Sequence, residues 1–349
     1  MKVLDEVISE EYRYRVVIGR GVFGRLGGLL EWSPSRTLIV YDVNAPSWGV
    51  EELSGSIPGA TVLGVEGGEG FKTLESVLSL VSRMTSLGMD RSSLVIAYGG
   101  GSVSDTVGFA ASIYMRGLPW AVAPTTMLGM VDASVGGKTG VNYGGKNIIG
   151  SFHHPRLVLV DTRVLDTLPD DEYRRGLAEV VKHAVIAGEG LLAWIEDNID
   201  GISSRRLAED LISMSLGVKL DIVSRDPREE RGVREVLNLG HTVAHALERA
   251  SGYRIPHGDA VSIGLVAELR SSEKLAGLDP GVRARVTEVL RRLGLPVSLP
   301  IPLEELAEHI RLDKKRRGDK IIYPLVYGPG KVEARPLPLD AVLEALKGG

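Results

Sequence analysis

Between residues 37 and 161, short apolar runs alternate with longer segments whose apolar residues recur every three or four positions. TLIVYD (37–42), ATVLGV (60–65), SLVIAYGGG (93–101), WAVAP (120–124) and RLVLVD (156–161) read as strands. Most are continuously apolar rather than alternating, as a strand covered on both faces requires. KTLESVLSLVSRMTSLG (72–88) has helical periodicity and stops at a glycine. Alternation of this kind predicts an open, mostly parallel α/β sheet. After about residue 165 the strand pattern nearly disappears. PDDEYRRGLAEVVKHAVIAG opens with Pro169 and Asp170 and ends at Gly188, and further helices are predicted over 189–199, 204–224, 232–250, 258–276, 281–293 and 302–312. Only KIIYPLVYGPGKVEA reads as a late β-hairpin, with GPG as its turn. The chain thus divides into an α/β domain, residues 1–165, and an essentially all-α domain, residues 166–349.

Composition narrows the chemistry. The 349 residues are 44% hydrophobic and 25% charged, the balance of a globular protein, and the net charge of −4 offers no basic excess for nucleic acid. MKVLDEVISEEYRYR is charged within five residues and lacks the apolar core of a secretory signal. No run of about 18 apolar residues is present to span a membrane. A cytoplasmic protein with neither a nucleic-acid nor a membrane partner is the expectation. The absence of cysteine excludes disulfides, thiol catalysis and thiolate-bound zinc, so any metal site must draw on Asp, Glu and the seven histidines.

GGGSVSDTVGFAASIYMRG (99–117) follows a predicted strand and opens a predicted helix. Glycine there lets backbone N–H groups approach a phosphate, and the helix N-terminus favours the anion. The segment lacks the full G-x-G-x-x-G fingerprint, and a plain tight turn is the alternative. DASVGGKTGVNYGGKN (132–147) sets Lys138 and Lys146 directly after Gly-Gly pairs, again a pattern suited to phosphate or carboxylate. Together these segments favour a phosphorylated ligand.

Arg234, Asn238, His241, His245 and Glu248 are spaced 4, 3, 4 and 3 apart, a polar stripe on one face of the helix predicted over 232–250. A solvated face is the plain alternative, but such faces favour Lys and Glu rather than two histidines and an asparagine. Glu172, Arg175, Glu179 and Lys182 form a similar stripe on the helix from Asp170, where a surface salt-bridge row is the alternative. His257, in Pro256-His257-Gly258-Asp259, lies at the start of the next helix, where a cap or turn role is equally open. A cysteine-free zinc site needs three protein ligands and an open position, which Glu179, His241 and His257 could supply.

These motifs together resemble the 3-dehydroquinate synthase family of sugar phosphate cyclases. The matching stretches are GGGSVSDTVGFAASIYMRG, PTTMLGMVDASVGGKTGVNYGGKNIIGSFHHP, RRGLAEVVKHAVI, REVLNLGHTVAHALE, IPHGDAVSIGL and a late DKK, collinear from about residue 67 to 315. Met127, where the family usually has leucine, and Ser104, often glycine, are the departures.

The resemblance implies an α/β N-terminal NAD-binding domain (Rossmann-like, mostly parallel sheet), a helical C-terminal domain and an active site in the cleft between them. It implies a divalent metal, most often Zn2+ with Co2+ as an alternative, on Glu179, His241 and His257. NAD contacts carry over to Asp42, Asn44, Glu69, Lys72, Gly100, Gly101, Asp105, Thr125, Thr126, Thr167 and Leu168. Lys138 carries over to both cofactor and substrate, and Lys146 is open to either ligand. Substrate contacts and catalytic roles carry over to Arg116, Asp132, Lys138, Asn147, Lys182, Lys219, Arg234, Asn238, His245 and Lys314. A homodimer is implied as well.

The implied reaction converts 3-deoxy-D-arabino-heptulosonate 7-phosphate to 3-dehydroquinate and phosphate. It runs by transient oxidation with NAD, phosphate elimination, reduction, ring opening and aldol closure. His245 and the substrate's own phosphate are both open as the elimination base. The alternatives are a cyclase making a valiolone or inosose product, a metal-dependent polyol dehydrogenase such as a glycerol-1-phosphate dehydrogenase, and a metal-stabilised binding protein without catalysis. The chain also lacks glutamine, and depletion of thermolabile residues accompanies heat adaptation. A thermal melting midpoint above about 65 °C, the upper mesophilic range, is therefore expected; calorimetry giving a lower value would count against heat adaptation.

Overall fold

The computed structural model describes residues 12–311, 316–317 and 319–347. Its first part is built on a six-stranded sheet of β1 (Arg15–Gly19), β2 (Thr37–Asp42), β3 (Thr61–Val65), β4 (Leu94–Gly99), β5 (Trp120–Pro124) and β8 (Leu157–Asp161). Between β5 and β8 lies a separate antiparallel hairpin, β6 (Lys138–Val141) and β7 (Ile149–Phe152). Helices α1 (Leu26–Leu29), α2 (Ser47–Ser56), α3 (Leu74–Ser86) and α4 (Gly101–Ile113) belong to this part. The strand order is β1-β8-β5-β4-β2-β3, with every pair parallel.

Sequence and position agree. β4, β5 and β8 are buried along their whole length, as their unbroken apolar runs require. The edge strand β3 alternates between half-buried and exposed residues. α3 begins at Thr73, whose side chain accepts the Ser76 N–H at 3.1 Å, and turns Val77, Leu80 and Met84 inward.

The order matters for binding. The chain runs outward from β2 to β3, then returns to the other side of β2 as β4 and continues outward to β5 and β8. At such a reversal the connections leave the carboxyl ends of neighbouring strands in opposite directions and open a crevice. Asp42 ends β2 and Gly99 ends β4, so the glycine-rich start of α4 faces that crevice.

The second part contains α5 (Asp170–Ala187), α6 (Glu189–Asp197), α7 (Ile199–Ser203), α8 (Ala208–Arg225), α9 (His241–Ala250), α10 (His257–Ala276), α11 (Pro280–Arg292), α12 (Leu303–Arg311) and α13 (Leu339–Leu346). It is not purely helical. β9 (Arg316–Arg317), β10 (Lys320–Gly328) and β11 (Lys331–Pro338) form an antiparallel sheet, with the expected hairpin turning at Pro329 and Gly330. No described helix is long and apolar enough to cross a membrane.

Three local expectations need correction. β1, whose short apolar run Val16–Ile18 follows the charged and aromatic stretch Tyr12–Arg15, and the β6–β7 hairpin, whose strands mix glycine and polar residues, are strands beyond those expected. The helix expected over 189–199 is two helices meeting at Asn198. The helix expected over 232–250 is broken. A 3-10 segment, Val233–Asn238, is followed by Leu239 and a left-handed Gly240 (φ 82°) before α9 starts at His241. Arg234 and Asn238 therefore do not continue the helical stripe of His241, His245 and Glu248.

Asp161, at the end of β8, has no exposed surface and ties the sheet to its neighbours. Its carboxylate accepts from Arg163 Nε (2.9 Å), Arg163 Nη2 (2.7 Å) and the Arg163 N–H (3.2 Å), while Arg163 also grips Glu52 and stacks on Trp48. Burial opposes the charge, but these donors hold the carboxyl below its usual range. Stability from a depressed carboxyl is present above its unfolded pKa near 3.9 and is lost as pH falls through the folded value. Asp161→Asn is expected to cost about 1–3 kcal/mol at neutral pH in denaturant titrations, and this difference should shrink below about pH 4. A cost independent of pH would contradict the role given to the charge.

Candidate active site

The crevice at the carboxyl end of the sheet opens into a cleft of about 1230 Å³ between the two parts of the chain. All thirteen residues expected to meet NAD line it. Asp42, Asn44, Gly100, Gly101, Thr125 and Thr126 come from the strand ends and from the start of α4, and Thr167 and Leu168 from the segment before α5. Asp42 Oδ1 accepts the Asn44 N–H at 3.0 Å, shaping the turn after β2. Glu69, Lys72 and Asp105 lie alongside, with Lys72 Nζ 2.6 Å from Asp105 Oδ2. The α4 N-terminus presents free backbone donors and the positive end of its dipole, which suits a pyrophosphate.

At the other side the cleft is cationic. Lys138, Lys219 and Arg234 line it, and Lys182 lies just beneath. The π-helical turn Gly129–Ala133 carries Asp132, whose Oδ1 accepts from Lys219 Nζ at 2.7 Å and stands 3.9 Å from Lys182 Nζ. Burial would raise the Asp132 pKa, but Lys219 and Lys182 hold it well below the usual carboxylate range. Lys138 pairs with Glu229 at 2.6 Å. Arg234 is buried, and its Nη1 donates to the carbonyls of Gly136 (3.0 Å) and Pro227 (2.9 Å).

The backbone that presents Glu229 and Arg234 is organised by Asp226. Its carboxylate accepts the N–H groups of Glu230, Arg231, Val233 and Arg234 at 2.9 to 3.3 Å. Burial opposes ionisation of Asp226, and these four donors keep its pKa low.

Beneath the cationic wall, donor atoms of Glu179 on α5, His241 on α9 and His257 on α10 lie within 4.8 Å of one another. Two glycines bring these helices close enough. A Cβ at Gly264 of α10 would collide with the Gly240 carbonyl before α9, and one at Gly258 with the Arg175 carbonyl of α5. Glu179 is completely buried, and neither of its oxygens has a well-directed hydrogen-bond donor. Its contacts are ionic, with Lys182 Nζ 2.5 Å from Oε2 and the Nε2 atoms of His241 and His257 each 3.4 Å from Oε1.

The far side of each imidazole sets its tautomer. His241 Nδ1 lies 3.1 Å from the Leu239 carbonyl, and His257 Nδ1 lies 3.2 Å from Glu248 Oε1. A carbonyl and a carboxylate only accept, so both Nδ1 atoms carry hydrogen, and both Nε2 atoms, the positions left for a metal or a second proton, face Glu179. Such outer partners are how proteins orient metal-binding histidines. Burial disfavours a charge on His257, yet Glu179 and Glu248 push it up to about 9, so this spot favours positive charge, as proton or as metal. One carboxylate and two oriented imidazoles fit a divalent ion with room for a further ligand.

His245 is one turn along α9 and lines the cleft, its ring 5.4 Å from that of His241, but it is not in the converging set. Asp132, Glu179 and His183 form a second group with donor atoms this close. The ammonium groups of Lys182 and Lys219 beside Asp132 make a second cation there unfavourable.

Other expected residues fall differently. Asn147 and Lys146 line the cleft, and Lys146 Nζ donates to Glu248 Oε1 at 2.8 Å, joining the β6–β7 turn to the outer partner of His257. Arg116 does not line the cleft; it is exposed beyond the end of α4 in a left-handed conformation (φ 69°). Asn238 is half-buried and also outside the cleft lining, because the break at Gly240 takes it off the α9 face. Lys314 lies outside the described residues. Sequence reasoning left Glu229, Asp226 and the role of Glu248 unassigned. Glu248 stood in the histidine stripe, the one available signal, while the partners of Asp226 are backbone groups that leave no trace in residue type.

Residues 62–175 match the model of the 3-dehydroquinate synthase N-terminal region, and residues 176–316 that of the C-terminal region. A 3-dehydroquinate synthase of Saccharolobus solfataricus is 37% identical over 98% of this chain and 97% of its own, and one of Aeropyrum pernix is 45% identical over 81% of this chain and 80% of its own. Among solved structures, a 2-epi-5-epi-valiolone synthase from Streptomyces hygroscopicus with NAD+ and Zn2+ bound superimposes with a TM-score of 0.88 at 28% identity, covering 98% of both chains. An NADH-dependent butanol dehydrogenase from Thermotoga maritima reaches a TM-score of 0.66 at 17% identity over 98% of both chains, a likeness of fold alone. The conserved architecture and the length of these matches lead to one assignment: the chain belongs to the 3-dehydroquinate synthase family.

Proposed function

We propose that this protein is a phosphate-eliminating carbon–oxygen lyase, a 3-dehydroquinate synthase acting on 3-deoxy-D-arabino-heptulosonate 7-phosphate in aromatic biosynthesis. The observation that carries the reading is the convergence of Glu179, His241 and His257 beneath a cationic wall, at the end of a cleft whose other end is a dinucleotide crevice. When bound, NAD supplies reversible hydride transfer, and a divalent ion, Zn2+ by preference, supplies Lewis-acid stabilisation of a developing oxyanion.

The chain's own residues do the remaining work. The α4 N-terminus with Gly100 and Gly101 binds the cofactor pyrophosphate, and Asp42 and Asn44 meet the nucleoside beyond it. Lys138, Lys219 and Arg234 neutralise the carboxylate and phosphate of the substrate. Arg234 is held by two carbonyls, so its remaining donors are oriented in advance. Lys182 and Asp132 keep the buried charges beneath the reacting carbons in balance. His245, outside the converging set and lining the cleft, is placed to move a proton or hold the departing phosphate. Glu229 holds the Lys138 ammonium at the cleft, and the ammonium has three donors to share between Glu229 and an anion. Zinc as the resident ion, a homodimeric assembly and a cytoplasmic location belong to the proposal, and metal analysis, light scattering and cell fractionation check them.

The decisive assay supplies the heptulosonate phosphate, NAD and Zn2+ or Co2+ and follows phosphate and NADH together. Phosphate release without accumulating NADH is expected; no turnover, or one NADH per turnover as a dehydrogenase would give, refutes the reading. Glu179→Ala and His257→Ala should each lose bound metal and activity together, since three protein ligands hold the ion. Full metal content and full rate in either variant would mean the ligand set is wrong. His245→Asn should lower turnover by about 100-fold or more while metal content stays near wild type. Loss of metal in that variant would place His245 among the ligands instead.

A further inference from the structure

Helix α9 starts at a residue that cannot cap it. Its N-cap is Gly240, left-handed and packed against α10 so closely that Gly264 has no room for a Cβ. The first N–H groups of a helix have no intrahelical acceptor, and an N-cap side chain usually supplies one. Gly240 has none to offer. The acceptor comes from α10 instead. Glu268 is completely buried; its Oε2 accepts the Gly240 N–H at 2.8 Å, and its Oε1 accepts those of Thr242 at 2.8 Å and Val243 at 3.1 Å. Three backbone donors and the positive end of the α9 dipole meet the charge of a carboxylate that would be costly in the interior without them.

The bonded residues stand on both sides of His241. Gly240 precedes it, Thr242 and Val243 follow it, and the Leu239 carbonyl meets its Nδ1. We infer that Glu268 is a positioning residue for His241, clamping the backbone on either side so that Nε2 points at Glu179 before any ion arrives. This rests on reading Glu179, His241 and His257 as metal ligands. It makes α10 responsible for two of the three, because it carries His257 in its first turn and the clamp for His241 about three turns further on.

Glu268→Gln tests the clamp, because its amide must turn an NH2 toward either the Gly240 donor or the Thr242 and Val243 donors. Calorimetric titration of Zn2+ and of Co2+ into metal-stripped protein should show affinity reduced about 10- to 100-fold. NAD affinity, set at the other end of the cleft, should change by less than about twofold, and activity should recover as metal is raised. Because Glu268 acts through His241, the loss should largely vanish when Glu268→Gln is made in a His241→Ala background. If the variant does not fold, hydrogen exchange on the wild-type protein decides: the amides of Gly240, Thr242 and Val243 should be protected before Zn2+ is added. Wild-type metal affinity in Glu268→Gln, an equal loss in the His241→Ala background, or protection only after Zn2+ addition overturns the inference. Wild-type protein that binds neither ion refutes the metal reading itself, and that failure is visible without any variant.

Discussion

A carboxylate with no exposed surface governs the centre of this molecule. Glu179 is buried on α5, and an ionised carboxylate taken out of water costs several kcal/mol unless positive charge and polar partners replace its hydration. Lys182 on the same helix supplies one charge, and the imidazoles of His241 and His257 face its other oxygen. The two imidazoles reach Glu179 only where α9 and α10 approach α5 closely. Glycines at 258 and 264, where any side chain would strike a neighbouring backbone, make that approach possible. The packing of three helices and the electrostatics of one carboxylate are thus a single problem with one solution.

Charge then organises the layers outward. Glu248 orients His257 and is itself met by Lys146 from the β6–β7 turn, so a hairpin of the first part is tied to a helix of the second. Asp132 gathers Lys182 and Lys219 from α5 and α8. Asp226 folds the segment that delivers Glu229 toward Lys138 and Arg234 toward Gly136. Acidic residues in this cleft mostly position cations, which leaves a cationic face at the centre and a place for anions above it. The parallel sheet contributes the other half by opening its crevice where the strand order reverses.

Much of this was legible in advance for a definite reason. Buried parallel strands must be apolar along their length, which made β2, β4, β5 and β8 legible; β3 and β1, the partly exposed edges, carry shorter runs, and of these two only β3 was expected. The periodicity of α5 placed Glu179 and Lys182 on one face, although the stripe that resembled a surface salt-bridge row proved buried at that end and exposed only at Glu172. Of the histidine stripe, His241, His245 and Glu248 lie on one helix and Arg234 and Asn238 on the 3-10 segment before it, because one left-handed glycine interrupts a pattern that residue types alone present as continuous. Arg116 lies in the matching stretch that precedes the one carrying Asp132 and Lys138, but it is exposed beyond the end of α4 and does not line the cleft.

The sequence by itself determined the periods of its elements, the absence of thiol chemistry and the motifs that identify the family, because these depend on residue type and local spacing. Only the tertiary structure decided which polar groups meet. Glu179 and His257 are far apart in the chain, as are Lys138 and Glu229 or Lys146 and Glu248, and their contacts exist only once helices and hairpin have packed. The division between His241 and His245 was decided in the same way. Both sit on one helical face, but α5 and α10 approach that face at His241, and one turn further on it opens into the cleft.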